Sequence, residues 1–157
     1  MMHPLTRRQL AAGLACWAGA ACGSPAALAD ADAAQVFRAL RGVRGRFDGG
    51  AWNDAVDRWQ GTKHLAMQTL AAQMLQRRAT AAQLRREMGA PDAVLAPGAA
   101  DHARAREAVQ WPEAMPPDDR RAGARLWLYR WRGSHDQLAL ALVQGRVVAV
   151  GWLHAWE

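Results

Sequence analysis

The chain has 157 residues, 51% of them hydrophobic, and a formal net charge of +6. This length allows one domain with a real core besides an export signal, and the composition excludes disorder along the whole chain. The charge does not indicate nucleic-acid binding, because Lys63 is the only lysine, an arginine- and alanine-rich chain is typical of a GC-rich genome, and no aromatic-plus-basic recognition pattern is present.

The first thirty residues have the pattern of an export signal. Thr6-Arg7-Arg8-Gln9-Leu10 opens an uncharged, weakly hydrophobic run over 10–21, which is too short to anchor the chain across a bilayer. The pair Arg7 and Arg8 resembles the twin-arginine export motif, and the general secretory route is the alternative. Small residues at 27 and 29 precede Asp30, so we expect cleavage between Ala29 and Asp30, which leaves 30–157 as one small domain.

Cys22 offers a second way of processing the signal. Gly19-Ala20-Ala21-Cys22-Gly23 resembles the lipobox of bacterial lipoproteins, in which the cysteine is acylated and becomes the first mature residue, although that motif usually has Leu where Gly19 stands. Lipidation of Cys22 is therefore the alternative to cleavage after Ala29. Cleavage after Ala29 would remove both cysteines and leave no disulfide, thiol nucleophile or cysteine metal ligand.

Helical spacing of apolar residues predicts four helical segments in the first half of the mature chain. The clearest stripe consists of Met67, Leu70, Ala71 and Met74. The last segment begins with the capping-box pair Thr80 and Gln83 and ends at Gly89, where we expect a left-handed glycine cap before Pro91. The predicted segments are 32–41, 52–61, 63–78 and 80–88.

A proline-containing excursion over about 92–123 follows the helices. It shows no strand alternation, and only 100–109 has the composition of a modest helix. From Arg125 the apolar period changes from helical to alternating, which predicts three strands joined by a turn at 133–136 and a tight Gln144-Gly145 connection. We therefore predict an α+β fold, in which N-terminal helices pack on one face of a C-terminal three-stranded antiparallel β-meander.

The second half of the chain, over 80–157, resembles a known family. The capped helix ends in Met88-Gly89-Ala90-Pro91-Asp92, a Trp127-Leu128-Tyr129 strand follows, and a hairpin with a glycine turn ends the chain. This pattern is similar to that of the SmpA/OmlA (BamE-like) envelope domains. The resemblance implies a two-layer fold of two helices on a three-stranded sheet, a periplasmic or outer-membrane-attached location, and a role as an assembly subunit or binding module. The excursion is longer than the family's connection, and 52–61 has no counterpart in it.

The mature chain carries no pattern that predicts a catalytic residue, a cofactor or a metal. Its four histidines lack the spacing of a metal pair: His64, His102, His135 and His154. His154 alternates on the strand face of Trp152 and Trp156, which favours a partly buried structural histidine, and His135 lies in a predicted turn without a nucleophile elbow. A pocket that groups His135 or His154 with two acids would favour a small exported hydrolase instead.

Trp127, Tyr129 and Trp131 form one row of the first predicted strand and are the candidate partner face. The simpler expectation is that this row packs into the core. If Leu126, Leu128 and the leucines over 138–142 pack inward instead, the aromatic row faces outward beside three arginines, Arg125, Arg130 and Arg132. Such a surface would suit a protein or an anionic lipid.

These patterns together favour a non-catalytic periplasmic protein with a structural, assembly or protein-binding role, tethered to the outer membrane if Cys22 is lipidated. We expect a protein partner, no nucleic acid, and membrane contact only through the signal segment or a lipid anchor. The alternative is a secreted inhibitor-like or peptide-binding module that uses Trp127, Tyr129 and Trp131.

Overall fold

The computed structural model describes residues 25–115 and 119–155, with side chains over 33–115 and 121–155. The fold is α+β, as predicted: four N-terminal helices pack against the strands of a five-stranded antiparallel sheet. The helices are α1 (Pro25–Arg41), α2 (Asp54–Asp57), α3 (Thr62–Gln76), α4 (Ala81–Met88), α5 (His102–Ala108) and α6 (Asp119–Ala122). The strands are β1 (Ala93–Leu95), β2 (Val109–Gln110), β3 (Arg125–Arg132), β4 (Asp136–Val143) and β5 (Arg146–His154).

The long amphipathic helix was predicted correctly. In α3, Met67, Leu70 and Met74 have no exposed surface, and they pack in the core between helices and sheet. Complete burial of each such side chain contributes about 2 kcal/mol to the free energy of folding. The predicted segment 52–61 is helical only over α2, which begins after Asn53, whose side chain accepts a hydrogen bond from the backbone N–H of Ala55.

The predicted capping box of α4 is present. Thr80 Oγ1 accepts a hydrogen bond from the N–H of Gln83, and the Gln83 side chain accepts one from the N–H of Thr80. Gly89 ends the helix with a positive φ of +79°, as expected, but its ψ of −175° is extended rather than left-handed helical. This backbone conformation is available almost only to glycine.

The sheet contains two strands that alternation did not predict. The meander β3-β4-β5 is present, and β1 and β2 extend it at its two edges to give the order β1-β3-β4-β5-β2. Both extra strands come from the excursion that follows α4. They are three and two residues long, too short to show a period of two in the sequence. The predicted helix in the same excursion is present as α5.

The two faces of the sheet have separate cores. Helices α1, α3 and α4 cover the face that carries the bulky side chains of β3 and β4. The excursion covers the opposite face, where Ala105 and Val109 pack on Leu126, Leu128 and the small residues Ala139 and Ala141. The excursion therefore closes the second sheet face instead of leaving it open to solvent.

The prediction of an exposed partner face at Trp127, Tyr129 and Trp131 is wrong, because the helices cover these side chains. Trp127 is 5% exposed, Tyr129 and Trp131 are fully buried, and all three lie in the core beneath the helices. The register explains the burial, because Trp127 pairs with Leu140 and directly opposed residues of antiparallel strands share a face. The aromatic row and the leucine row of β4 therefore lie on the same side, whereas the exposed alternative required them to lie on opposite sides.

Candidate functional site

The turn after α4 is hydrogen-bonded to strand β3. Tyr129 donates its hydroxyl hydrogen to the carbonyl of Gly89 at 3.1 Å. Asp92 donates its N–H to the Leu128 carbonyl at 2.8 Å, and its carboxylate accepts the N–H of Arg130 at 2.7 Å. The turn 89–92 and the Trp127-Leu128-Tyr129 strand therefore form one unit, which we call the turn–strand junction.

Arg41, the last residue of α1, stabilises this junction from the helix side. Its guanidinium donates to the carbonyls of Met88 at 2.6 Å and Ala90 at 2.5 Å, and it forms an ion pair with Asp92 at 2.9 Å. The guanidinium carbon also lies 5.4 Å from the centre of the Tyr129 ring, within range of a cation–π contact. The Tyr129 hydroxyl is buried here, and burial raises its pKa well above the ordinary value.

A cleft of about 340 Å³ opens beside the junction. Its charged lining residues come from five separate stretches of the chain: Arg41, Arg44, Asp48, Lys63, Asp92 and Arg130. Four of these six side chains are cationic and two are anionic. The cleft is therefore a positively charged concavity, which none of the sequence patterns predicted.

Lys63 lies in the first turn of α3 and is only 2% exposed. Its ammonium group donates a hydrogen bond to the carbonyl of Trp131 at 2.8 Å. Burial lowers the pKa of Lys63 from its ordinary value, and the nearby carboxylates of Asp48 and Asp92 offset part of that effect. Burial of an ammonium group is costly unless an anion compensates its charge.

The loop that supplies Arg44 and Asp48 to the cleft is organised around Asp57. This buried carboxylate accepts hydrogen bonds from the N–H groups of Arg46 at 2.9 Å and Asn53 at 2.8 Å through one oxygen. Its other oxygen has no hydrogen-bond partner among the residues that the structure describes, and it lies where a side chain on Gly45 would be. Glycine at position 45 therefore allows the loop to close over the carboxylate.

His64 is enclosed by indole rings. Its ring centre lies 4.4 Å from that of Trp59, 4.2 Å from that of Trp131 and 4.9 Å from that of Trp152. Neither ring nitrogen has a hydrogen-bond partner among the described residues. Burial, assisted by the positive charge of Arg132, lowers the pKa of His64 to about 4, so the ring is neutral at physiological pH.

His154 contacts one acid rather than two. Its Nδ1 lies 3.0 Å from Asp136 Oδ1, and the other carboxylate oxygen of Asp136 accepts from Arg132 at 2.7 Å. The partly buried position predicted for His154 is confirmed. His135 lies beside Phe47 at the β3–β4 turn, with ring centres 5.5 Å apart, and His102 contacts the Ala124 carbonyl at 2.8 Å.

Only some of the sequence-predicted site residues lie in the part of the chain that the structure describes. Arg7, Arg8 and Cys22 lie outside the described residues, and the predicted cleavage point between Ala29 and Asp30 falls within α1.

Over 25–115 and 119–155, no three His, Cys, Asp or Glu side chains group as a metal site requires, and no helix is both long and apolar enough to cross a membrane.

Comparisons with protein-family models, with curated proteins and with solved structures give no match to this chain.

Proposed function

We propose that this chain is a non-catalytic exported protein of the bacterial cell envelope, similar to the SmpA/OmlA (BamE-like) type, that serves as a structural, assembly or protein-binding module in the periplasm. The observation that carries the proposal is the turn–strand junction. The two short motifs of the resemblance are more than thirty residues apart in the sequence, yet Gly89 and Asp92 are hydrogen-bonded to β3. A chance match of two short motifs does not require such contact.

The N-terminal sequence supports export. Arg7 and Arg8 precede an uncharged run, and two processing points follow it, at Cys22 and between Ala29 and Asp30. Either processing point leaves the buried residues described in α1, Ala33, Ala34 and Phe37, in the mature chain. We propose a soluble periplasmic protein, or an outer-membrane-tethered one if Cys22 is acylated.

Intact mass of the protein recovered from a Gram-negative cell tests the export proposal. The full chain is compared with Cys22→Ala and with the double variant Arg7→Lys, Arg8→Lys in periplasmic and membrane fractions. A chain that begins at Asp30 in the periplasm, or an acylated chain that begins at Cys22 in the membrane, supports the proposal. Recovery of the uncleaved chain in the cytoplasm would contradict it.

Complementation of a deletion strain tests the envelope role. Loss of the protein should weaken the outer membrane as a barrier, which entry of a large antibiotic such as vancomycin reports, and the full chain should restore the barrier. His154→Gln is the matched test of catalysis, because it removes the imidazole that pairs with Asp136. A non-catalytic protein keeps its complementing activity in this variant, whereas a folded but inactive variant would favour a hydrolase.

A further inference from the structure

In the charged cleft beside the turn–strand junction, cationic side chains outnumber the acidic ones that face them among the described residues. The guanidinium of Arg41 is engaged by the carbonyls of Met88 and Ala90, and its ion pair neutralises Asp92. The side chains of Arg44 and Arg130 are exposed and form no hydrogen bond or ion pair with any described residue. Together with Lys63 they leave three cations in the cleft opposite one remaining acid, Asp48.

One of the three cations, Lys63, is buried rather than exposed at the surface. Lys63 is 2% exposed, yet no carboxylate of the described residues lies within ion-pairing distance of its ammonium group. Among those residues the ammonium donates one hydrogen bond, to the carbonyl of Trp131. The first turn of α3 contains no acid, and a cation there is opposed by the helix dipole. Burial and the dipole both destabilise the charged ammonium, and an anion in the cleft would offset both effects.

We propose that the cleft is a binding site for a small oxyanion, a molecule that carries a phosphate or carboxylate group, held by the buried ammonium of Lys63 and the free guanidinium groups of Arg44 and Arg130. Guanidinium groups bind planar and tetrahedral oxyanions through paired N–H donors, and an ammonium adds a point charge. The volume of about 340 Å³ suits a small molecule. This proposal is independent of the envelope role, because it depends only on the cleft.

The single lysine of the chain provides a direct test. Full chain labelled with carbon-13 at lysine gives one ε-carbon resonance, which belongs to Lys63. We expect sodium phosphate or sodium succinate to shift this resonance in a saturable way and to raise the Lys63 pKa, because a bound anion favours the charged ammonium. The two probes distinguish a phosphate site from a carboxylate site, and sodium chloride at equal ionic strength is the control for screening.

Charge-removing variants locate the site. Arg130→Gln and Arg44→Gln should each weaken binding of the effective probe on the order of tenfold, the usual consequence of losing one charge-assisted contact. Arg86→Gln removes the same charge from α4 outside the cleft and should leave the affinity unchanged. All three arginines are exposed, so these variants should fold normally.

A Lys63 resonance that stays in place with both probes would overturn the proposal. A shift with sodium chloride equal to that with the probes would also overturn it. So would a loss of affinity in Arg86→Gln equal to that in Arg44→Gln and Arg130→Gln. None of these results bears on export or complementation, which therefore test the proposed function separately.

Discussion

At the scale of single residues, His64 is a polar group in an environment that opposes charge. Its ring is fully buried, and Trp59 is the outermost of the three indoles around it. More than half of Trp59 is exposed, at 54%, so this indole separates the imidazole from solvent on that side. The low pKa of His64 should therefore depend on Trp59 more than on the deeper rings.

Trp59→Ala should raise the pKa of His64 from about 4 toward the ordinary value of 6.5, because water would then solvate the imidazolium. The measurement is a titration of the imidazole carbon resonances by nuclear magnetic resonance. Trp52→Ala is the control. Trp52 is about as exposed as Trp59, at 52%, but it donates its indole N–H to the Asp54 carboxylate. An unchanged His64 pKa in Trp59→Ala would show that the inner rings alone exclude water.

Gly89 is a second residue at this scale, and the turn–strand junction depends on its backbone conformation. Gly89→Val should lower the free energy of unfolding by about 1–3 kcal/mol, because a branched side chain is strained at a φ of +79°. A Cβ atom there would also lie 2.7 Å from Arg41 Nη1 and disturb the turn–strand junction. Urea denaturation measures the loss. Ala90→Val, at the exposed neighbouring position, should change stability little, and equal stability of Gly89→Val and wild type would contradict the strain.

At the scale of elements, strand β2 depends on the absence of a side chain in β5. Val109 pairs with Gly151, and a Cβ atom on Gly151 would lie 2.0 Å from the carbonyl oxygen of Ala108. Such a contact is possible only if the backbone moves. The excursion therefore reaches the sheet edge through a gap left by one glycine.

Gly151→Ala should displace β2 from the sheet edge and expose the second core. We expect faster hydrogen exchange at the Gln110 amide and a lower melting temperature. Gly42→Ala is the matched control, because no atom lies within 4 Å of its added methyl group and its φ is not positive. That variant should keep wild-type exchange. Unaltered exchange in Gly151→Ala would show that β2 stays paired with β5 despite the added methyl group, against this expectation.

The elements that the sequence predicted from apolar spacing share one property, which is a run long enough to show its period. Helix α3 has four buried apolar positions at helical spacing, and β3 to β5 have eight or nine residues each. The short strands β1 and β2 have no such run, and their pairing is fixed by contacts with distant residues. Whether the aromatic row faced inward also could not be read from β3 alone, because both of its rows are apolar and the answer depends on the register with β4.

At the scale of the whole molecule, the charged cleft could not be predicted for a similar reason. Arg41 ends α1, Lys63 lies in the first turn of α3, and Arg130 lies on β3, so only the packing of three elements brings them together. The sequence did show that Lys63 is the only lysine. It did not show that this lysine is buried, since the first residues of an amphipathic helix are commonly exposed.

The stability of the whole fold should depend on pH through His64. Its pKa is about 4 in the folded chain and near 6.5 when unfolded, so between these values only the unfolded chain takes up the proton. The free energy of unfolding should therefore decrease as the pH falls from about 6.5 to about 4. His64→Phe keeps the ring packing and removes this proton, so its urea midpoint should fall less over that range.

The variant Trp59→Ala provides the comparison for this pH dependence. Its His64 should titrate closer to the unfolded value, so the acid-induced loss of stability should be smaller than in wild type, with the same imidazole still present. If His64→Phe and wild type lose stability equally between pH 6.5 and pH 4, carboxylates rather than His64 would control unfolding in acid. A smaller loss in both variants would identify the indole-enclosed imidazole as the group whose protonation opens the helix-covered core.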